Sequence, residues 1–266
     1  MVGRRQIDIA TRSVNQAMER LATGKRVNRA ADDPSGVAAI TELTARERTL
    51  RAQIDHADRE SAYLAARDGA QSVVSDLLIE LQGHVVAAAN RGGLSPEEIA
   101  AHQLEAESIL KTIDHLSQAA EFNGRKLLDG LGTSTLGQHY VTVTGADGQP
   151  ETITMTLAGM MGGGPLNLVT GNLETAQKVV KSATTAVSTS RSAIGNRMLE
   201  IDSQRRTGLK ELEGVMGEKS RVEDADYAAE TSNLVRARVL QDVALYTTQL
   251  AGELMAKTAM ALLKVA

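Results

Sequence analysis

The chain has no cysteine and no tryptophan, and only one phenylalanine and four tyrosines among its 266 residues. Without thiols there is no disulfide, no thiolate nucleophile and no cysteine-held metal, and the chain could pass unfolded through a narrow channel without crosslinking. Aromatic residues make up 2% of the sequence against 42% hydrophobic, so the apolar content is Ala, Leu, Val, Ile and Met. Such side chains suit thin helix–helix seams rather than a thick globular core. Charge of one sign is lacking too: the net charge of −4 gives no general electrostatic case for nucleic acid. No apolar run reaches about 18 residues, so no membrane insertion is expected. No charged-then-apolar leader with a small-residue cleavage site is found, so export would have to read another signal.

What is present is helical periodicity at both ends. Apolar residues recur at helical spacing through residues 4–128 and 172–266, and only residues 140–157 alternate with period two. Amphipathic arms of this kind cannot bury their apolar stripes alone. The expected fold is therefore mainly α: an elongated coiled-coil rod formed by the N- and C-terminal helical arms, with a small β-hairpin insert.

Along the first arm, Ile7, Val14 and Leu21 recur every seven residues and predict an amphipathic helix of about five turns. Gly24 and residues 28–36 interrupt it, and Asp33-Pro34 reads as an N-cap followed by proline at the first helical position. The second helix carries Leu43, Leu50 and Leu64 and ends near Asn90, where Arg91-Gly92-Gly93 is expected to supply a left-handed cap. Ser95-Pro96-Glu97-Glu98 has capping-box form and should open a third helix, antiparallel to the second, running to about Ala120.

Val141 and Val143, then Ile153, Met155 and Leu157, alternate with threonines around Gly145-Ala146-Asp147-Gly148 and predict a β-hairpin. Residues 159–171, with Gly162-Gly163-Gly164, read as a flexible return and hinge. Asn172 then caps a long helix in which Val180, Val187, Ile194 and Ile201 recur every seven residues, the mark of a supercoiled seam. Near Gly217 the pattern falters, and Ser220-Arg221-Val222-Glu223 is again read as a capping box, with Asp224 and Asp226 favoured by the helix dipole. The last helix carries Leu234, Leu240, Leu250 and Leu254 and must cover its apolar face with the first helix or with neighbouring subunits. The two breaks fall at matching distances from the ends, which implies two tiers.

Three segments resemble the bacterial flagellin family: RLATGKRVNRAADDPSG at 20–36, EFNGRKLL at 121–128, and KSRVEDADYAAETSNL at 219–234 with the following RARVLQ. The resemblance covers the helical arms and implies a structural, non-enzymatic subunit of the flagellar filament. It implies an inner terminal-helix tier of residues 1–30 with 222–266, a helical rod core of residues 31–139 with 172–221, and a short variable hairpin and Gly-rich return at residues 140–171. Assembly then falls to Ile7, Val14, Leu21, Leu234, Leu240, Leu250 and Leu254. The tier junction and its caps fall to Arg26, Asp32, Asp33, Ser220, Arg221, Glu223, Asp224 and Asp226. The rod seam falls to Leu43, Leu50, Leu64, Val180, Val187, Ile194 and Ile201. The implied partners are copies of the same chain, an export chaperone at the C-terminal helix, and filament cap and hook-junction proteins. The implied place is outside the cell, reached unfolded through the flagellar secretion system.

The chain departs from the family pattern in beginning roughly three helical turns late, so either the start is called or trimmed incorrectly or the inner tier is shortened. In residues 79–90, the region innate immunity reads in many flagellins, Glu80 and Gln82 stand where the family has basic residues and His84 stands for a leucine, which implies weak or no recognition. A hook-filament junction protein and a non-polymerising helical adaptor or adhesin are the competing readings. An enzyme in the insert is a third, disfavoured because no acid, base and nucleophile converge there. His56, His84, His102, His115 and His139 show neither HExxH nor His-x3-His spacing, so no metal or cofactor is expected. The basic series from Arg4 to Arg29 lacks interleaved aromatics and is followed by Asp32 and Asp33, which favours charge pairing over phosphate binding.

Overall fold

Asp33 opens the longest helix as its sequence predicts: its Oδ1 accepts the Gly36 N–H at 2.8 Å, and Pro34 stands at the first helical position where no N–H is needed. In a computed structural model that describes residues 2–144 and 150–263, this helix is α2, Pro34–Ala89, and it follows α1, Val2–Thr23. The third, α3, Pro96–Ala119, begins with the expected capping box: Ser95 Oγ accepts the Glu98 N–H at 3.2 Å, and Glu98 Oε2 accepts the Ser95 N–H at 2.7 Å. Two long helices complete the set, α4, Leu173–Glu223, and α5, Tyr227–Leu263. Asn172 caps α4 by accepting the Thr175 N–H at 3.0 Å.

Among the described residues, four strands form two small antiparallel ribbons. β1, Glu121–Phe122, and β2, Arg125–Lys126, are joined by Asn123 and Gly124, both with positive φ as a primed two-residue turn requires. β3, His139–Thr144, pairs with β4, Pro150–Met155, in a register that sets Val141 opposite Ile153 and Tyr140 opposite Thr154. The Gly145-Ala146-Asp147-Gly148 turn expected between them lies outside the described residues.

By internal contacts the chain forms two units, Met1–Gln53 with Thr207–Ala266, and Ile54–Arg206. These divide within α2 and α4, whereas the tiers expected from the sequence are cut at the helix breaks. In the second unit, Val74, Leu78, Leu81 and Val85 of α2 are buried with Ala106, Leu110 and Ile113 of α3 and Val179, Val180 and Val187 of α4. A smaller cluster joins Ala57 and Leu64 to Ile194 and Ile201. Two of the five aromatics pack in this unit: Tyr63 lies 6.3 Å from Phe122 between ring centres, and the Arg125 guanidinium sits 4.2 Å above the Tyr63 ring.

Four local expectations are corrected. Gly92 and Gly93 do not take a positive φ; α2 instead ends in right-handed turns, with the Asn90 N–H donating to the Ala87 carbonyl and the Gly93 N–H to the Asn90 carbonyl. Leu157 does not extend the hairpin but opens a 3-10 helix, Leu157–Met160, because its N–H donates to the Leu136 carbonyl outside the ladder. Residues 159–171 are not a free hinge: Met160, Leu166 and Leu168 are buried in the core of the second unit. Gln103 of α3 ties this segment down, donating to the Met160 carbonyl at 2.9 Å and accepting the Leu168 N–H at 2.6 Å. Finally, Ser220 is not an N-cap. α4 runs through Gly217 to Glu223, since one helical glycine costs only about 1 kcal/mol. The cap of α5 is Asp226, whose Oδ1 accepts the Ala228 and Ala229 N–H groups at 2.9 and 3.1 Å.

One stretch of α2 is also long and apolar enough to match a membrane-crossing helix by composition, although charged residues interrupt its apolar run. The same helix supplies Val74, Leu78, Leu81, Val85 and Ala88 to the core of the second unit, while Val73, Ile79 and Val86 stay exposed.

Candidate assembly surface

Within the first unit, α1 and α5 pair through small residues. Ala10, Val14 and Ala17 of α1 are buried with Ala237 of α5, and the two backbones approach to within 8 Å between Cα atoms. Alanine permits that approach because it holds the helix axes apart by no more than a methyl group. The direction is antiparallel, fixed by two long-range polar contacts: Arg20 Nη1 donates to Glu230 Oε1 at 2.8 Å, and Gln241 Nε2 donates to Thr11 Oγ1 at 2.9 Å.

The two helix breaks meet. The Arg26 N–H donates to the Glu223 carbonyl at 2.7 Å and the Ala225 N–H to the Gly24 carbonyl at 2.9 Å, so Lys25 and Asp224 form a single antiparallel bridge. Gly24 takes φ +70° here, and Tyr227 of α5 stands beside it, its hydroxyl 3.3 Å from where a Cβ would lie. Charges cement the junction. Lys25 Nζ lies 2.5 Å from Glu223 Oε1, Arg26 Nη2 donates to the Val222 carbonyl at 2.8 Å, and Lys219 Nζ meets Glu47 Oε2 at 3.0 Å.

The electrostatics follow from these contacts. The hydrogen bond and charge of Glu223 raise the Lys25 pKa above its ordinary value. The Arg29 and Asn28 N–H groups lower that of Asp32, the Gly36 N–H and Ser35 hydroxyl lower that of Asp33, and the Lys219 ammonium lowers that of Glu47. Asp32 and Asp33 thus act as turn and cap residues held ionised.

Of the expected assembly residues, Val14 is buried in the α1/α5 seam and Ile7, Leu21 and Leu234 are half-buried. Leu240, Leu250 and Leu254 are exposed, at 57%, 45% and 58%, and so are Val239, Val243 and Met260 of the same helix. The seam within the chain is made by Val14 and alanines, and most of the large apolar residues of α5 are left facing outward. Among them runs a groove of about 620 Å³ between α1 and α5, lined by Ile9, Ala10, Ala237, Leu240 and Val243. The junction residues Arg26, Asp32, Asp33, Glu223, Asp224 and Asp226 are brought together, with Ser220 donating to Asp224 at 2.5 Å. Arg221 is exposed and makes no ion pair among the described residues. Every seam residue except the half-buried Leu43 is buried: Leu50 in the first unit, and Leu64, Val180, Val187, Ile194 and Ile201 in the second.

Sequence reasoning missed one cluster. His84 and His102, taken singly as unpaired histidines, converge with Glu105 because α2 and α3 run antiparallel; spacing along one chain segment carries no signal for a pair split between two helices.

Residues 1–133 match the family described as the bacterial flagellin N-terminal helical region, and residues 177–255 match the bacterial flagellin C-terminal helical region. A flagellin of Listeria innocua is 26% identical over 244 residues, covering 85% of this chain and 84% of that one. The flagellar filament 33 kDa core protein of Treponema phagedenis is 28% identical over 144 residues, covering 54% of this chain and 50% of its own length. A solved structure described as a flagellar hook-associated protein of Vibrio parahaemolyticus shares the fold with a TM-score of 0.53 at 17% identity, covering 73% of this chain and 100% of that one.

Proposed function

This chain belongs to the bacterial flagellin family, and from that premise we propose that the outward apolar face of α5 is the surface through which identical copies join. The chain is a structural subunit of the flagellar filament, not an enzyme, and that filament is extracellular.

The observation that carries the proposal is the mismatch between α1 and α5. Even alongside α1, Val239, Leu240 and Val243 stay exposed, as do Leu250, Leu254 and Met260 further along α5. Fully burying one such side chain contributes roughly 1.5–3 kcal/mol, so a row of them supplies a strong drive toward association once copies align. Many lateral contacts, each weak, then sum along a polymer. In this reading residues 1–30 with 222–266 form the inner tier of the filament wall, and residues 31–139 with 172–221 the helical body around it. Of residues 140–171, the β3–β4 hairpin is the short surface piece, while the return from Leu157 packs into the core of the second unit.

The finer partners belong to the same proposal. The C-terminal helix, apolar and exposed, suits a chaperone that covers it before export. Passage unfolded through the flagellar secretion system suits a chain without cysteine. Cap and hook-junction proteins are the expected neighbours at the filament ends. Packing register between adjacent helices is the expected switch, since interdigitated side chains shift in discrete steps.

The junction-protein reading is disfavoured by the RVEDADYAAETSNL segment at 221–234, which looks like that of filament subunits. The adaptor reading differs in outcome. Purified chain seeded with filament fragments and viewed by electron microscopy is expected to grow tubes of uniform diameter. Persistent monomers in the presence of seeds would favour the adaptor and overturn the proposal.

A further inference from the structure

We propose that His84, His102 and Glu105 form a binding site for one divalent transition-metal ion of the zinc class. His84 Nδ1 lies 3.1 Å from His102 Nδ1, and Glu105 Oε2 lies 3.1 Å from the first and 3.4 Å from the second. Three atoms with lone pairs therefore point at one another. A hydrogen on one Nδ1 can join two of them; a cation can satisfy all three. Zinc sits about 2.0–2.2 Å from imidazole nitrogen and carboxylate oxygen, and ligands at that radius in a tetrahedral shell are about 3.3 Å apart. The three separations seen match that spacing.

The helices hold the donors in place. Leu81 and Val85 flank His84 on α2, and Gln103 and Ala106 flank His102 and Glu105 on α3; all four are buried in the second unit. Gln103 is further fixed by its bonds to the Met160 carbonyl and the Leu168 N–H. Glu105 follows His102 by three positions, so both lie on one face of α3. The ligand backbones are thus set by core packing before any ion arrives, which lowers the ordering cost of binding.

The donor set selects the ion. Two imidazoles and one carboxylate suit zinc, copper or nickel, whereas calcium and magnesium take all-oxygen shells. Glu105 is half in solvent, with its side chain 58% exposed, so the fourth position opens outward and takes water. The ion would clamp the end of α2 to the start of α3 across the turn at residues 90–95. Because it binds the folded hairpin and not the unfolded chain, it would stabilise the second unit.

The test uses the full chain without an affinity tag and zinc chloride alone, by calorimetry and by competition with a chromophoric chelator. One zinc per chain is expected, with a rise in the unfolding temperature and, for cobalt in place of zinc, visible d–d absorption. Loss of an outer-shell partner of a metal ligand already costs about 10–100-fold in affinity, so His84→Leu and His102→Ala should each cost at least that. Glu105→Gln, at the most exposed ligand, tests the same site with the least risk to folding and should weaken binding in the same direction. His56→Ala and His115→Ala should change nothing. The proposal is overturned if no stoichiometric binding occurs tighter than about 1 mM. It is overturned equally if the His84 and His102 variants bind like the parent chain, which would leave the pair as a histidine–histidine hydrogen bond. Zinc binding is scored on the monomer, so its outcome is independent of whether the chain polymerises.

Discussion

Arg20 and Glu230 stand 210 positions apart in the sequence, and the guanidinium of the first donates to the carboxylate of the second at 2.8 Å. Both side chains are largely buried, at 23% and 10% exposure, and Arg20 Nε is itself buried without a hydrogen-bond partner among the described residues. Removing the carboxylate therefore leaves a desolvated cation, and a hydrogen bond to a charged group is worth about 1.5–3 kcal/mol. Glu230→Ala is expected to speed amide exchange across α1 by roughly 10- to 150-fold, that energy converted at 1.4 kcal/mol per decade. Residues 54–206 should be unchanged. Unaltered exchange in α1 would mean that the alanine seam alone sets the pairing.

The junction is expected to loosen at both extremes of pH. Asp32, Asp33 and Glu47 have folded pKa values below their ordinary 3.8 and 4.5, so their contribution is present above those values and is lost as pH falls through the lower, folded ones. Lys25 is raised above 10.5, so its contribution is present below 10.5 and lost as pH rises through the higher, folded value. All four lie in Met1–Gln53. Amide exchange of α1 followed against pH should show protection falling below about pH 4 and above about pH 10.5 after correction for intrinsic rates. Protection flat through the acid range would remove the carboxylates from the account.

Gln103 is the polar anchor of residues 159–171. Gln103→Leu keeps the volume but leaves the buried Met160 carbonyl and Leu168 N–H without their partner, at about 1–3 kcal/mol each. The midpoint of chemical unfolding of the second unit should fall accordingly. If that midpoint stays, the segment is held by Leu166 and Leu168 packing alone.

Leu240 and Leu254 are more than half exposed, so glutamate at either position should leave the monomer within about 0.5 kcal/mol of its parent. The same substitutions should prevent seeded growth, because they place charge on the face that copies must cover. Sedimentation of polymer after seeding measures this directly.

Much of this arrangement is legible from local signals. Asp33-Pro34, Ser95 with Glu98, and Asn172 are short-range caps whose partners lie three residues on, and the seven-residue repeat from Val180 to Ile201 names buried positions directly. Signals that depend on distant partners are not legible in the same way. Ser220 has the pattern of a cap, but Asp226 takes the role because α4 continues to pack past Gly217. The glycine-rich return reads as loose because nothing near it shows that Gln103, some sixty positions earlier, binds it. Of the residues the heptad pattern assigns to the α1/α5 seam, Val14 is buried in it, and its other buried members are Ala10, Ala17 and Ala237, residues too small to stand out in a hydrophobic pattern. The Asn123-Gly124 turn was within reach, being a strong hairpin signal, but its two-residue strands are too short to show alternation.

In the proposed filament, copies of this chain cover the outward face of α5. Amide hydrogen exchange across residues 235–260, measured in the free chain and in assembled tubes, tests it most directly. Strong protection appearing in that segment on assembly is the predicted result. Tubes in which the segment exchanges as fast as in the free chain would contradict it.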